Sequence, residues 1–250
     1  FRFEGKQYEM IKNGCRRGQH GIAFDSVWEH SDPAIESDAI LLTGTLEILP
    51  GCDNYLAFPF PCRLTVTYRL TMKGLGFYYQ VENTGDSDMP YGIGLHPCFT
   101  LQNAHEPVLL TIPAQALYEV TPDLLPTGRL LALDACKGYE VDQGRDVKTF
   151  RLDNGFLLKD GDTLLRYPER NTQLCIRTTP EFTVSVLYTP VALGQLPASE
   201  HPIFFLEHQT CCTDAINLHE AGVQNTGLLI LKPGERNEGS IHYIFEEMTQ

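Results

Sequence analysis

Alternation of apolar and polar residues is the feature of this 250-residue chain that most constrains its fold. Successive side chains of a β-strand point to opposite faces, so an alternating run buries one face and leaves the other polar or half exposed. Clear runs occupy residues 64–70, 77–82, 182–188 and 240–245. Clusters of Gly, Asn, Asp and Pro separate the runs and indicate turns, at 73–74, 83–86, 153–155, 160–162 and 233–235. The pattern predicts many short antiparallel strands.

Helical periodicity is nearly absent by comparison. The best candidate is a short helix at 213–221, with Thr213 or Asp214 as its cap, and sixteen scattered prolines discourage longer ones. We find no internal repeat, low-complexity tract or linker. The sequence therefore predicts one all-β domain over residues 1–250, built from antiparallel sheets packed as a sandwich or barrel.

Composition excludes several functional classes. The formal net charge is −13, with no basic run beyond Arg16-Arg17, and a nucleic-acid partner would need more Lys and Arg to neutralise phosphates. No apolar stretch is long enough for a membrane span, and the first residues lack an apolar signal region. The eight cysteines form no C-x-x-C pair, which favours free thiols in a reducing cytoplasm over disulfides or a zinc site.

Histidine 96 follows two glycines at alternate positions. Because Pro97 biases the preceding residue toward extended backbone, we expect His96 to lie in a strand with Gly92 and Gly94 on its own face. A face of Gly, Gly and His packs poorly in a core but suits a polar small ligand. A structural, hydrogen-bonded histidine remains the alternative.

Three further residues could carry chemistry. Glu207 ends the apolar run 203–206, and burial there would raise the pKa of its carboxyl and make it a base near neutrality. His208 should face the opposite side of that strand. His20 lies in a Gly-rich loop, which alone is weak evidence, and Asp153 lies in Asp-Asn-Gly, for which a hairpin turn is the favoured interpretation.

A histidine acid and a glutamate base can move protons on a neutral polar substrate. The candidate functions are therefore hydrolysis, isomerisation or simple binding. Five motifs in order narrow this choice, because together they resemble the aldose 1-epimerase, or galactose mutarotase-like, family. They are Gly5-Lys6-Gln7-Tyr8, Gln19-His20-Gly21-Ile22-Ala23-Phe24 with Trp28 downstream, Gly94-Leu95-His96-Pro97-Cys98-Phe99, Leu206-Glu207-His208-Gln209 with Asp214-Ala215-Ile216-Asn217, and Leu231-Lys232-Pro233-Gly234-Glu235.

The resemblance implies a large twisted antiparallel β-sandwich, the galactose mutarotase-like supersandwich, with the sugar on a concave face. It implies His96 as general acid, Glu207 as general base, and His20 and, through a looser match, Asp153 as sugar-binding residues. The loop after His20 carries Ile22 and Phe24, which is not the commonest form of that motif. We also expect the family's first N-terminal strands, with an Arg that contacts the sugar, to be lacking.

The implied function is a cytoplasmic isomerase that interconverts the anomers of a hexose without cofactor or metal, as a monomer or homodimer, with no nucleic-acid or membrane partner. One alternative is a mutarotase for a hexose 6-phosphate or other charged sugar, for which Arg16 and Arg17 are the available cations. A second is a non-catalytic carbohydrate-binding protein. A third is a glycoside hydrolase, which needs two carboxylates across a bond. The sequence does not indicate which sugar is preferred.

Overall fold

The computed structural model of the protein describes residues 1–12, 15–16, 18–101, 106–196 and 202–248, with the backbone alone at 11, 12, 15 and 16. Within these residues the chain forms 22 strands, which are β1 Arg2–Phe3, β2 Lys6–Gln7, β3 Ile11–Lys12, β4 Cys15–Arg16, β5 Glu29–His30, β6 Ala34–Ile35, β7 Ala39–Ile48, β8 Cys62–Thr71, β9 Gly74–Asn83, β10 Met89–Tyr91, β11 Cys98–Thr100, β12 Leu109–Thr111, β13 Ala114–Val120, β14 Pro126–Ala132, β15 Arg145–Asp146, β16 Asp153–Leu158, β17 Thr163–Tyr167, β18 Thr172–Thr178, β19 Val184–Tyr188, β20 Ile203–Gln209, β21 Leu229–Leu231 and β22 Arg236–Glu247. Two short α-helices are α1 Asp53–Ala57 and α2 Ala215–Glu220.

Two antiparallel sheets make up most of the molecule. The larger has ten strands in the order β15-β12-β17-β18-β22-β9-β8-β7-β5, with β6 also paired to β7. The smaller has six in the order β11-β20-β19-β16-β13-β14. Short two-stranded pairings join β1 to β2, β3 to β4 and β10 to β21. The all-β prediction is confirmed.

One apolar core lies between the two sheets. Buried side chains of the smaller sheet, such as Phe156, Leu187 and Leu206, belong to the same cluster as Phe77 and Ile241 of the larger sheet. His208 on β20 also points into this interior, where its Nε2 lies 2.9 Å from the Thr163 hydroxyl on β17. The predicted orientation of His208, away from the side of Glu207, agrees with this placement.

The alternating runs are confirmed as strands, but one expectation about their faces fails. In β8 the core-facing residues Leu64 and Val66 are buried, whereas Tyr68 and Leu70 on the same face are 40% and 52% exposed. The residues paired with them on β7, Leu42 and Ile40, are also exposed. The smaller sheet therefore covers only part of this face.

One local prediction was close and another was wrong. The helix predicted at 213–221 is α2, with Asp214 at its N-cap position in a left-handed backbone conformation (φ 59°). The turn predicted at 153–155 is wrong, because Asp153, Asn154 and Gly155 begin β16 and pair with Tyr188, Leu187 and Val186 of β19. Their turn-forming character is overridden by pairing with a neighbouring strand, which satisfies the backbone groups a turn would otherwise leave free.

Candidate functional site

The outer face of the smaller sheet, opposite the core, carries three rows of side chains that run across neighbouring strands. Residues directly opposite each other in antiparallel strands share a face. The first row is Asp153, Tyr188, Phe205 and Cys98. The second contains Gly155, Val186 and Glu207, and the third contains Val184, Gln209 and Gly94.

His96 extends the second row. It follows Gly94 by two residues, and Gly94 is bridged to Gln209, which places His96 opposite Glu207. The side chains meet there, with His96 Nε2 3.1 Å from Glu207 Oε1. The prediction that His96 lies in a strand is wrong, because β11 begins at Cys98. Pro97 has no N–H to contribute to a ladder, and regular pairing with β20 begins at Cys98, after an isolated bridge at Gly94.

Glu207 is nearly enclosed, whereas His96 is open to solvent. The side chain of Glu207 is 9% exposed and that of His96 is 38% exposed. The second carboxylate oxygen of Glu207 accepts a hydrogen bond of 2.9 Å from the Gln209 side-chain amide. Burial raises the pKa of Glu207 to about 7, with Asp153 adding to the rise and Gln209 and His20 opposing it. A carboxyl with this pKa can release and accept a proton near neutrality.

His20 lies beside this pair, on a loop that Trp28 contacts through a hydrogen bond and links to the larger sheet. Its ring meets the His96 ring edge to face, with the centroids 5.0 Å apart. The His20 backbone is left-handed (φ 61°), a conformation that few non-glycine residues adopt. Downstream, the Trp28 indole donates to the Ala23 carbonyl at 3.1 Å, and Trp28 lies where a Cβ on Gly44 of β7 would touch it. Trp28, the aromatic residue after the His20 motif, therefore connects this loop to the larger sheet.

Asp153 lies two strands away from Glu207, in a row of aromatic side chains. Tyr188 and Phe205 stack with their centroids 5.4 Å apart, and Phe205 meets His96 edge to face at 4.7 Å. Burial raises the pKa of the Asp153 carboxyl, and His96 opposes that rise. The sequence-predicted residues His20, His96, Glu207 and Asp153 thus converge on one face of one sheet.

Three members of this face were not singled out from the sequence: Gln209, Phe205 and Tyr188. A signal existed for the first two, because they lie two residues either side of Glu207 and a strand places such residues on the same face. Tyr188 is brought in by pairing between β19 and β20, which no local pattern shows.

The remaining candidates contribute less. The seven cysteines whose side chains are described are free thiols, as predicted. Among the described residues no group of three or more His, Cys, Asp or Glu is placed to hold a metal ion. Arg17 and the side chain of Arg16 lie outside the described residues. No helix in the described part of the chain has the length and apolar character needed to cross a bilayer.

Comparison with known sequences places the chain in a family. The family model for aldose 1-epimerase matches residues 1–243. The chain belongs to the aldose 1-epimerase family. A curated relative, the Uncharacterized protein YihR of Escherichia coli strain K12, is 28% identical over 131 residues, or 51% of this chain. That stretch covers 40% of YihR, so the match reaches less than half of that protein.

Comparison with solved structures shows that the fold is shared with known proteins. A galactose mutarotase-like protein from Clostridium acetobutylicum superposes with a TM-score of 0.77 at 20% identity, over 89% of this chain and 67% of that one. The GalM/aldose epimerase homologue from C. elegans superposes with a TM-score of 0.72 at 18% identity, over 99% of this chain and 78% of that one. The predicted galactose mutarotase-like sandwich is confirmed.

Proposed function

We propose that the protein is an aldose 1-epimerase that interconverts the α and β anomers of a hexose by acid/base-catalysed ring opening. The observation that carries the proposal is the 3.1 Å separation of His96 Nε2 and Glu207 Oε1. In a cyclic sugar the C1 hydroxyl oxygen and the ring oxygen are bonded to the same carbon. An acid and a base that act on these two oxygens must therefore be close neighbours, as His96 and Glu207 are.

In the forward step Glu207 takes the proton of the C1 hydroxyl, the C1–O bond to the ring oxygen breaks, and His96 Nε2 donates a proton to that oxygen. The product is an open-chain aldehyde. Rotation about C1–C2 then presents the other aldehyde face. The ring hydroxyl attacks that face as His96 takes back its proton, and Glu207 returns a proton to the C1 oxygen, so both groups are regenerated.

The remaining polar side chains of the face suit recognition of the sugar. His20 contacts the His96 ring, and Asp153 lies in the neighbouring row of the same face, so we assign both to the binding of ring hydroxyls. The mechanism asks nothing of a cofactor or metal. We further propose that residues 1–250 act as one domain, as a monomer or homodimer in the cytoplasm, with a small sugar rather than a nucleic acid or membrane as partner.

The geometry favours this reaction over glycoside hydrolysis. A hydrolase places two carboxyl groups about 5–10 Å apart across a bond, with the acid on one and the nucleophile or base on the other. Here the group that faces the Glu207 carboxylate across the strands is the imidazole of His96, whose Nε2 lies 3.1 Å from Oε1. Retention of both an acid and a base also argues against a protein that only binds carbohydrate.

Polarimetry tests the proposal directly. Purified protein is mixed with fresh α-glucose or α-galactose, and the approach to anomeric equilibrium is compared for wild type, Glu207→Gln and His96→Asn. We expect each substitution to slow the catalysed rate by about 10²–10⁴-fold, the usual contribution of a placed proton donor or acceptor. Glu238→Gln and His242→Asn, on the larger sheet, serve as matched controls.

Variants that keep the wild-type rate would contradict the assignment of His96 and Glu207. Release of a new reducing end from a glycoside would instead indicate a hydrolase. Hexose 6-phosphates tested in the same assay address the charged-sugar alternative, since a preference for them would require cations near His20.

A further inference from the structure

The Glu207 carboxylate has a different polar neighbour at each oxygen. Oε1 lies 3.1 Å from His96 Nε2, on the side where the reacting atoms of a sugar would lie. Oε2 accepts from the Gln209 side-chain amide at 2.9 Å. A carboxylate held by only one oxygen can rotate about its last bond, whereas one held at both has a fixed orientation.

The position of Gln209 depends on the absence of a side chain at residue 94. The two residues are paired by an isolated bridge, and a Cβ added to Gly94 would lie 2.8 Å from Gln209 Cγ and 3.5 Å from its Cδ. Real Cβ atoms do not approach so closely, so any larger residue at 94 would push the Gln209 side chain away. Backbone hydrogen bonds from Leu95 N to His208 O and from Thr210 N to Ile93 O fix this register.

We propose that Gln209, seated over Gly94, is a positioning residue that holds the carboxylate of Glu207 by Oε2 and so presents Oε1 to the substrate. The proposal rests on the proposed function, in which Glu207 is the base. Gln209 acts through Glu207. Gly94 supports this position by leaving room for the aliphatic part of the Gln209 side chain. This gives a physical role to the second of the two glycines that precede His96.

An N–H donated to a carboxylate also favours its charged form. The amide therefore performs two separable tasks: it orients the base, and it keeps the base ionised at lower pH. Loss of orientation lowers kcat at every pH. Loss of charge stabilisation shifts the acid limb of the pH profile upward and is overcome by raising the pH.

The test uses Gln209→Met, which keeps the length of the side chain and removes the donor, and Gln209→Asn, which keeps the amide on a shorter stem. The control is Gln173→Met. It also removes a hydrogen bond from a glutamine amide to a glutamate, the 3.3 Å bond from Gln173 to Glu246, but this bond is exposed and lies on the larger sheet. Mutarotation is followed by polarimetry from pH 5 to 9, and urea unfolding verifies that each variant is folded.

For Gln209→Met we expect the acid limb of kcat to move up by about 1 pH unit, given the usual strength of hydrogen bonds to charged groups. We expect the plateau at high pH to fall by about 10- to 100-fold, with KM within about twofold. Gln209→Asn should lose the plateau rate as well, because its amide cannot span the distance. Gly94→Ala, which removes no polar group, should reproduce the loss by displacing the Gln209 side chain.

An unchanged plateau in Gln209→Met and Gln209→Asn overturns the positioning role, even if the acid limb moves. A second readout separates this result from failure of the proposed function. The carboxyl carbon of Glu207, assigned by its absence in Glu207→Gln, is titrated by ¹³C NMR with no substrate present. If wild type turns over no sugar, the proposed function fails. An upward shift of the Glu207 titration in Gln209→Met then still supports the contact, and an identical titration overturns it.

Discussion

Replacing Glu207 by Gln should make the protein more stable at alkaline pH, while removing the proposed base. Glutamine has nearly the shape of a protonated glutamate, and its amide oxygen can still accept the Gln209 hydrogen bond. Wild type must instead keep an ionised carboxylate in a nearly enclosed site above the pKa of about 7. Because the folded protein binds this proton more tightly than the unfolded chain, the contribution of Glu207 to wild-type stability falls as pH rises from about 4.5 to 7.

The size of the effect follows from that shift. Raising the pKa of a carboxyl from 4.5 to about 7 corresponds to about 3 kcal/mol of unfolding free energy at pH 8. The Glu207 side chain is still 9% exposed, and solvent screens part of this cost, so we expect about 2 kcal/mol. For a chain of this length, 2 kcal/mol raises Tm by about 4–8 °C.

Urea unfolding at pH 4.5 and pH 8 measures the difference between Glu207→Gln and wild type at each pH. We expect almost no difference at pH 4.5, where the folded carboxyl is protonated, and about 2 kcal/mol in favour of the variant at pH 8. Glu238→Gln, an exposed glutamate on β22, is the control and should change stability equally at both pH values. A Glu207→Gln variant no more stable than wild type at pH 8 would refute the reasoning.

Two further predictions concern the interior and a tight turn. Burial lowers the pKa of His208 to about 4, so its contribution to stability is lost as pH falls from about 6.5 to 4, and His208→Leu should abolish that part of the pH dependence in urea unfolding. Gly74→Ala should cost more than about 3 kcal/mol in unfolding free energy, because Gly74 has φ 151° and an added Cβ would overlap the Tyr243 carbonyl oxygen. Gly138→Ala, with φ 94° but open space around it, should cost only about 1 kcal/mol of backbone strain. Equal losses for the two glycine variants would contradict the steric argument.

The sequence predicts the faces of strands well and the pairing between strands poorly. The alternating run that contains Leu64 and Val66 identified core residues, because the two-residue period is a property of a single strand. The same rule placed Glu207 and His208 on opposite faces of β20. It could not show where the smaller sheet ends, which is why Leu70 was expected in the core and is half exposed.

The site could be predicted only in part, for the same reason. Motif resemblance named His20, His96, Glu207 and Asp153, but their proximity depends on register. Asp153 is the clearest case, because local turn preference pointed to a hairpin and pairing with β19 placed it in a strand instead. The left-handed backbone at His20 is likewise a local feature that the alternation of apolar and polar residues does not indicate.

The alternation that predicted the fold also explains an electrostatic balance at residues 207 and 208. As neighbours in a strand they point in opposite directions, Glu207 toward the proposed substrate and His208 into the core, and both are withdrawn from water. Burial disfavours the charged form of each, so it raises the pKa of the acid to about 7 and lowers that of the base to about 4. Between about pH 4.5 and 6.5 the folded protein, compared with the unfolded chain, holds one more proton on Glu207 and one fewer on His208. Their contributions to the pH dependence of stability therefore oppose each other. In each single variant the remaining pH dependence of this pair comes from the other residue alone. The free energy of unfolding of Glu207→Gln should therefore rise steadily as pH rises through this window, and that of His208→Leu should fall.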